Sequence, residues 1–159
     1  MGKTAWSYSS LDAFETCPRR YYLTKVSKQV SDAPGAAGIW GNNVHKALEN
    51  RLMHGTPLPE GMTDYEPLAV KVLNAAAGGQ ISAEQKMALT DDFRPVKWFD
   101  KSTWVRGITD FTIEKGTKAF IGDWKTGRPQ PNSAQLKLTA AMTMHHRPWI
   151  TEVTNAFVW

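Results

Sequence analysis

The residues best suited to chemistry lie between Trp104 and Gly127. There Gly107-Ile108-Thr109-Asp110 is followed by Phe120-Ile121-Gly122-Asp123-Trp124-Lys125-Thr126-Gly127. Asp110 and Asp123 fall near the ends of two strand-like segments joined by a tight turn at Lys115-Gly116. Hairpin partners lie side by side, so the two carboxylates can meet at one edge of a sheet. Residues 123 and 125 are two apart on a strand and share a face. Two carboxylates and an ammonium on one patch suit a hard divalent cation held by the carboxylates, with the lysine turned to a phosphate or a water. The competing reading is a surface hairpin whose charges are merely solvated. Asp123 directly follows Ala119-Phe120-Ile121, and Asp110 is flanked by Ile108 and Phe111. Burial of such strands weighs against casual surface charge, but the residues alone leave both readings open.

The elements that must position this patch can be read from periodicity. Residues 7–26 open with Ser7, Ser9 and Ser10, all good N-cap types, and Leu11, Phe14 and Cys17 recur at helical spacing until Pro18 breaks or restarts the helix. Residues 31–38 read as a loop, 40–53 as a helix with Trp40, Val44, Leu48 and Leu52 on its apolar face, and 54–63 as a loop. A helix over Tyr65–Ala77 ends at Gly78-Gly79. Strands follow at 80–90, 103–114 and Ala119–Asp123, then a loop at Gly127, Pro129 and Pro131. A helix from about Ser133 to His145, capped by Asn132 or Ser133, and a strand over 150–159 complete the chain. This order predicts one α/β domain over residues 1–159: a helical part, 1–63, then an αβββαβ core, 64–159, whose mixed sheet joins an antiparallel meander to one strand added by a crossover. The chain stops at Trp159, inside or just past an apolar strand, which leaves two readings open: a truncated form, or a protein partner or second copy that covers this edge.

Composition narrows the class. The chain has 159 residues, 42% hydrophobic and 21% charged, with a net charge of +4 and a pI of about 9.2. That is a globular balance with a modest basic excess, which suits a polyanionic partner. No apolar run approaches a membrane span and no secretory signal is evident. Cys17 is the single cysteine, which fits a reducing compartment and so a cytoplasmic setting; the small size suits a bacterial or phage-infected cell.

The Gly-Ile-Thr-Asp and Asp-Trp-Lys-Thr-Gly pair resembles the PD-(D/E)XK nuclease superfamily, in its RecB-like exonuclease branch. Ser7-Tyr8-Ser9-Ser10-Leu11 with Cys17-Pro18-Arg19-Arg20-Tyr21-Tyr22-Leu23 is similar to that branch's N-terminal signature. Gly41 with His45, on a helix running to Leu48-Glu49, resembles its metal-binding histidine motif, and Gln135-Leu136 its glutamine motif. The resemblance covers nearly the whole chain, with the motifs in the family's order. It implies a restriction-endonuclease-like fold and a DNA-cutting activity that needs magnesium or manganese. His45, Asp110, Asp123 and the backbone carbonyl of Trp124 would bind the cation, with Glu84 as a looser addition. Lys125 would activate the attacking water and Gln135 would orient Lys125 or the substrate. Exonuclease action on single strands or duplex ends, in recombination, repair or replication, rests on the resemblance alone. Two departures stand out. Iron–sulfur members use four cysteines, so no cluster is expected here, and Thr139 stands where the family often has a tyrosine one turn after its glutamine. The alternative is a non-catalytic nucleic-acid-binding module or accessory subunit on the same fold.

Other residues invite simpler readings. Arg19, Arg20 and Tyr22 form a basic, aromatic segment that suits either a nucleic-acid backbone or a solvated helix face. Arg128 and Lys137, close to the patch in sequence, are better placed for phosphate contact. His54, His145 and His146 lack zinc-site spacing and suit helix C-termini. Gly2-Lys3-Thr4 lacks the rest of a phosphate-binding loop. Cys17 reads as core-facing, and Trp40, Trp98, Phe99 and Trp104 as core or lid rather than base-stacking platforms.

Overall fold

The computed structural model describes residues 5–127 and 133–159. In chain order it contains α1 (Tyr8–Thr16), α2 (Pro18–Tyr21), a π-helical turn (Tyr22–Val26), α3 (Ala36–His54), a 3-10 turn (Thr63–Tyr65), α4 (Glu66–Ala76), β1 (Gln80–Leu89), β2 (Pro95–Val96), β3 (Val105–Lys115), β4 (Lys118–Trp124), α5 (Ala134–His146) and β5 (Glu152–Val158). The sheet order is β2-β1-β3-β4-β5. Its first four strands pair antiparallel, whereas β5, returning after α5, lies parallel to β4. This is the mixed sheet that the alternation of elements predicts, with a two-residue edge strand, β2, that is too short to leave a periodic signal.

The helices cover both faces of the sheet. Val44, Leu48 and Leu52 of α3 and Ala69, Val72 and Ala76 of α4 pack with Phe111, Ile113 and Trp124 into one core. These residues recur every three or four positions on their helices, so each helix buries one stripe. On the other face Met142 and Leu138 of α5 meet Met87, Leu89 and Val105, closed by Trp6 and Trp104 in an edge-to-face pair at 5.3 Å. Ser7 caps α1 through a reciprocal bond pair with Ser10, yet no residue of α1 is buried.

Several local expectations need correction. The helix expected from residue 40 begins at Ala36, so 36–38 are not loop. The helix-favouring Ala36-Ala37 outweigh Gly38, and the glycine at 41 sits close to Thr126, with a Cβ there falling 3.2 Å from the Thr126 hydroxyl. Trp40 lies 42% exposed instead of joining Val44, Leu48 and Leu52. Leu11 and Phe14 are likewise exposed, because α1 rests on the domain without entering its core. Cys17 is only half-buried, and its sulfur accepts the Arg20 N–H that opens α2. Ser133 precedes α5 without a side-chain capping bond. Pro129, Pro131, Asn132 and Gly2-Lys3-Thr4 lie outside the described residues.

One close approach fixes the centre of the sheet. Phe111 is opposite Gly122 in the β3–β4 ladder, and its ring lies over that glycine, 4.6 Å from the Trp124 ring centre and 6.0 Å from that of Phe120. A Cβ on Gly122 would fall inside the Phe111 ring. Gly122→Ala should therefore destabilise the protein by about 1–3 kcal/mol, the usual cost of overpacking a filled core. Urea unfolding reads this directly, and an unchanged midpoint would show that the ring does not need the glycine.

Candidate active site

The strand registers bring three acids into one row. β1 and β3 pair from Gln80↔Glu114 to Leu89↔Val105, and the position opposite Asp110 is Glu84, where the ladder breaks. Glu84 has φ of 50°, left-handed backbone that costs a side-chain-bearing residue about 1–2 kcal/mol. Strain of this kind tends to collect at working sites. The β3–β4 ladder runs to Phe111↔Gly122, so the next positions in register are Asp110 and Asp123. Phe157 of β5 lies beside Asp123 on the far side.

Asp110 is the middle member of the row. One of its oxygens, Oδ2, accepts the Trp124 N–H at 2.6 Å and lies 3.4 Å from Nδ1 of His45 on α3. One ligand atom each from His45, Glu84 and Asp110 lie within 4.8 Å of one another. An imidazole and two carboxylates are the donors a divalent cation such as magnesium or manganese accepts. Asp123, expected among these ligands, is turned elsewhere. Its Oδ1 accepts the Gln135 amide at 2.5 Å, and its Oδ2 touches the Lys125 ammonium. Lys125 donates to the Gln135 amide oxygen at 3.1 Å and lies 4.9 Å from the Phe157 ring centre. Asp123, Lys125 and Gln135 thus close a ring of polar contacts beside the His45–Glu84–Asp110 group.

The electrostatics favour added positive charge. Burial, then Asp110, raises the Asp123 carboxyl above its ordinary range, although Lys125 opposes the shift. Burial, then Asp110 and Glu49, raises Glu84. His45 is raised by its hydrogen bond to Asp110. Asp123 Oδ2 is also buried without a hydrogen bond of good geometry, the lysine contact being its only compensation. Two acids, Glu84 and Asp123, that hold protons more tightly than usual, with one oxygen poorly satisfied, fit a divalent cation.

The other expected site residues are more dispersed. Trp124 places its indole in the core and its backbone N–H on Asp110. Arg19, Arg20 and Tyr22 are exposed on the N-terminal helical segment, and Arg20 shares Asp32 with Lys25. Lys137 is exposed two residues beyond Gln135, a spacing that turns it away from that residue's helix face. Arg128 lies outside the described residues. His146 bonds the Ala88 carbonyl at 3.0 Å and His145 stacks on Phe93, so both are engaged in packing. The Thr139 hydroxyl is spent on the Gln135 and Leu136 carbonyls of its own helix. Lys86 and Arg106 belong to no motif, and their only signal in the sequence is that each is a cation on a strand leading to the acid row.

The raised acids set a pH response. A group whose folded pKa lies above its unfolded value binds extra protons in the native state, so stability falls as pH rises through the folded pKa. In chelator, Asp123→Asn should gain stability relative to the parent as pH climbs above the ordinary carboxylate range, because the neutral isostere never pays for ionisation. Saturating magnesium or manganese should stabilise the parent and reverse that order. Thermal unfolding across pH checks both, and an order that no cation reverses would remove Asp123 from the cation's surroundings.

Comparison with known proteins accords with this geometry. No curated protein matches the sequence. A family model described as the PD-(D/E)XK nuclease superfamily matches residues 5–148, an interval that holds His45, Glu84, Asp110, Asp123, Lys125 and Gln135. With that match over most of its length and a mixed five-stranded sheet carrying a candidate cation group, the chain belongs to the PD-(D/E)XK nuclease superfamily.

Proposed function

We propose that this chain is a magnesium- or manganese-dependent deoxyribonuclease of the RecB-like exonuclease kind, hydrolysing phosphodiester bonds at single strands or duplex ends. The observation that carries the reading is the shared carboxylate of Asp110, which links the His45–Glu84 side of the site to the Asp123–Lys125–Gln135 side through the Trp124 backbone. The placement of His45 on α3 beside the acid row and of Gln135 on α5 beside Lys125 supports the RecB-like branch. The proposal includes a setting in DNA recombination, repair or replication within a bacterial or phage-infected cell, which the small size of the chain suits. No helix among the described residues is long and apolar enough to cross a membrane.

In this reading His45, Glu84 and Asp110, with the Trp124 carbonyl, would hold the cation, and Asp123 would join them by giving up a contact to Gln135 or Lys125. When bound, the cation supplies a Lewis acid for the phosphoryl oxygen and favours ionisation of an attacking water. Lys125 brings a fixed positive charge to the oxygens that gain charge as the phosphate is attacked. Gln135 is a positioning residue. Its amide oxygen holds the ammonium and its amide nitrogen holds Asp123, so the lysine is aimed before substrate arrives. The Trp124 N–H does the same for Asp110.

End-labelled single- and double-stranded DNA incubated with magnesium, manganese or chelator tests the proposal. Cleavage should require the metal, and Asp123→Ala should abolish it. Lys125→Ala should lower turnover by about 10²–10³-fold, the scale for losing one preorganised charge donor, while metal affinity measured by calorimetry stays within about threefold. The ladder of labelled products identifies the end attacked. Folded protein that cuts in neither metal would refute the nuclease and leave a nucleic-acid-binding module on the same fold.

A further inference from the structure

Beside the Lys125–Gln135 pair a cavity of about 600 Å³ opens between the N-terminal segment, β3 and α5. Thr139 lines it with a short side chain, and its far wall carries Trp98 and Arg106. Arg106, Ile108 and Asp110 alternate along β3 and share one face, so the wall is continuous with the acid row. Four residue steps of strand take Arg106 to Asp110, about 13 Å at the ordinary rise. That spacing suits a phosphate further along a bound strand than the one at the cation group.

The chemistry of this wall is unbalanced. Lys86, opposite Ile108 in the β1–β3 register, has its ammonium 5.8 Å from the Trp98 ring centre. The Arg106 guanidinium lies 5.5 Å from the same ring centre and 5.7 Å from that of Phe99. Two cations therefore crowd one indole, and among the described residues neither forms an ion pair. The Arg106 Nε is buried without a hydrogen-bond partner. Unmet donors and converging like charges are costly until an anion joins them, and phosphate matches a guanidinium well.

The adjacent Phe99 is 84% exposed, contrary to its expected place in a core or lid. Its presentation is built: Asp100 accepts both the backbone N–H and the hydroxyl of Ser102, and backbone bonds Asp100 to Lys97 and Thr103 to Asp100 close the turn around it. A solvent-facing ring carried on a hydrogen-bonded turn beside two cations suits stacking on a nucleobase. An unpaired strand offers a free base face at every nucleotide, whereas a duplex offers one only at its end pairs, its interior bases being stacked on one another.

We propose that Lys86, Trp98, Phe99 and Arg106 form a subsite for single-stranded DNA, in which Lys86 and Arg106 bind a backbone phosphate and Phe99 stacks on a base. The choice of DNA as ligand rests on the nuclease reading, but binding can be measured without turnover. Anisotropy of fluorescein-labelled oligothymidine and of a labelled blunt duplex, both in chelator, separates the two questions. Phe99→Ala should weaken oligothymidine binding about tenfold and duplex binding by less than about twofold. Arg106→Gln should reduce the slope of log affinity against log salt by about 0.7, the release expected for one phosphate contact on a single strand. Parent-like affinity of Phe99→Ala for the oligomer, equal losses on oligomer and duplex, or no binding of either by the parent would each overturn the subsite. Selective loss in a protein that fails to cut DNA would keep the subsite and reject the nuclease. Cutting with no selective loss would do the reverse.

Discussion

The Asp110 carboxylate is the constraint around which the site is arranged. It sits in the middle strand of a row of three acids, with Glu84 on one side and Asp123 on the other. Such a row opposes its own burial, and each neighbour limits the damage in a different way. The Trp124 N–H and the His45 imidazole meet one Asp110 oxygen. Lys125 and Gln135 occupy Asp123. Glu84 keeps its proton more readily than an exposed glutamate would. Three acids face one lysine at the row, a ratio that favours a divalent cation as a further counter-charge.

That arrangement depends on packing that carries no charge. The Phe111 ring over Gly122 sets the spacing of β3 and β4 one residue before Asp110 and Asp123 face each other. The same ring joins Trp124, Val44 and Leu48 in one core, so the helix that bears His45 is pressed against the strand that bears Asp110. On the other face Leu136 and Met142 seat α5, and with it Gln135. The acids can be held close because apolar burial on both faces opposes their repulsion.

Positive charge is distributed with a different logic. Several cations far from the row are paired: Arg51 with Glu66, Arg147 with Glu114, Arg20 and Lys25 with Asp32. At the row Lys125 meets Asp123 and Lys46 meets Glu49, whereas Lys86 and Arg106 meet aromatic faces. A net charge of +4 is too small to describe this contrast. What matters for a polyanion is where the unpaired cations stand, not their sum.

The sequence by itself determined the hairpin of Asp110 and Asp123 and the shared face of Asp123 and Lys125. Turn chemistry and strand alternation are local, so they survive in a linear reading. It also determined the order of helices and strands, because apolar periodicity marks each one, and it determined family membership through motifs in order. Element ends were less legible: α3 starts earlier than its glycines suggest, since a close packing contact is invisible in a list of residues. Only the tertiary structure decided that Glu84 stands opposite Asp110, that Asp123 turns to Gln135 and not to His45, and that Phe99 faces solvent beside Arg106. Those facts depend on strand register, rotamer choice and loop closure. Each is fixed by residues distant in the chain, whose mutual distances no local pattern encodes.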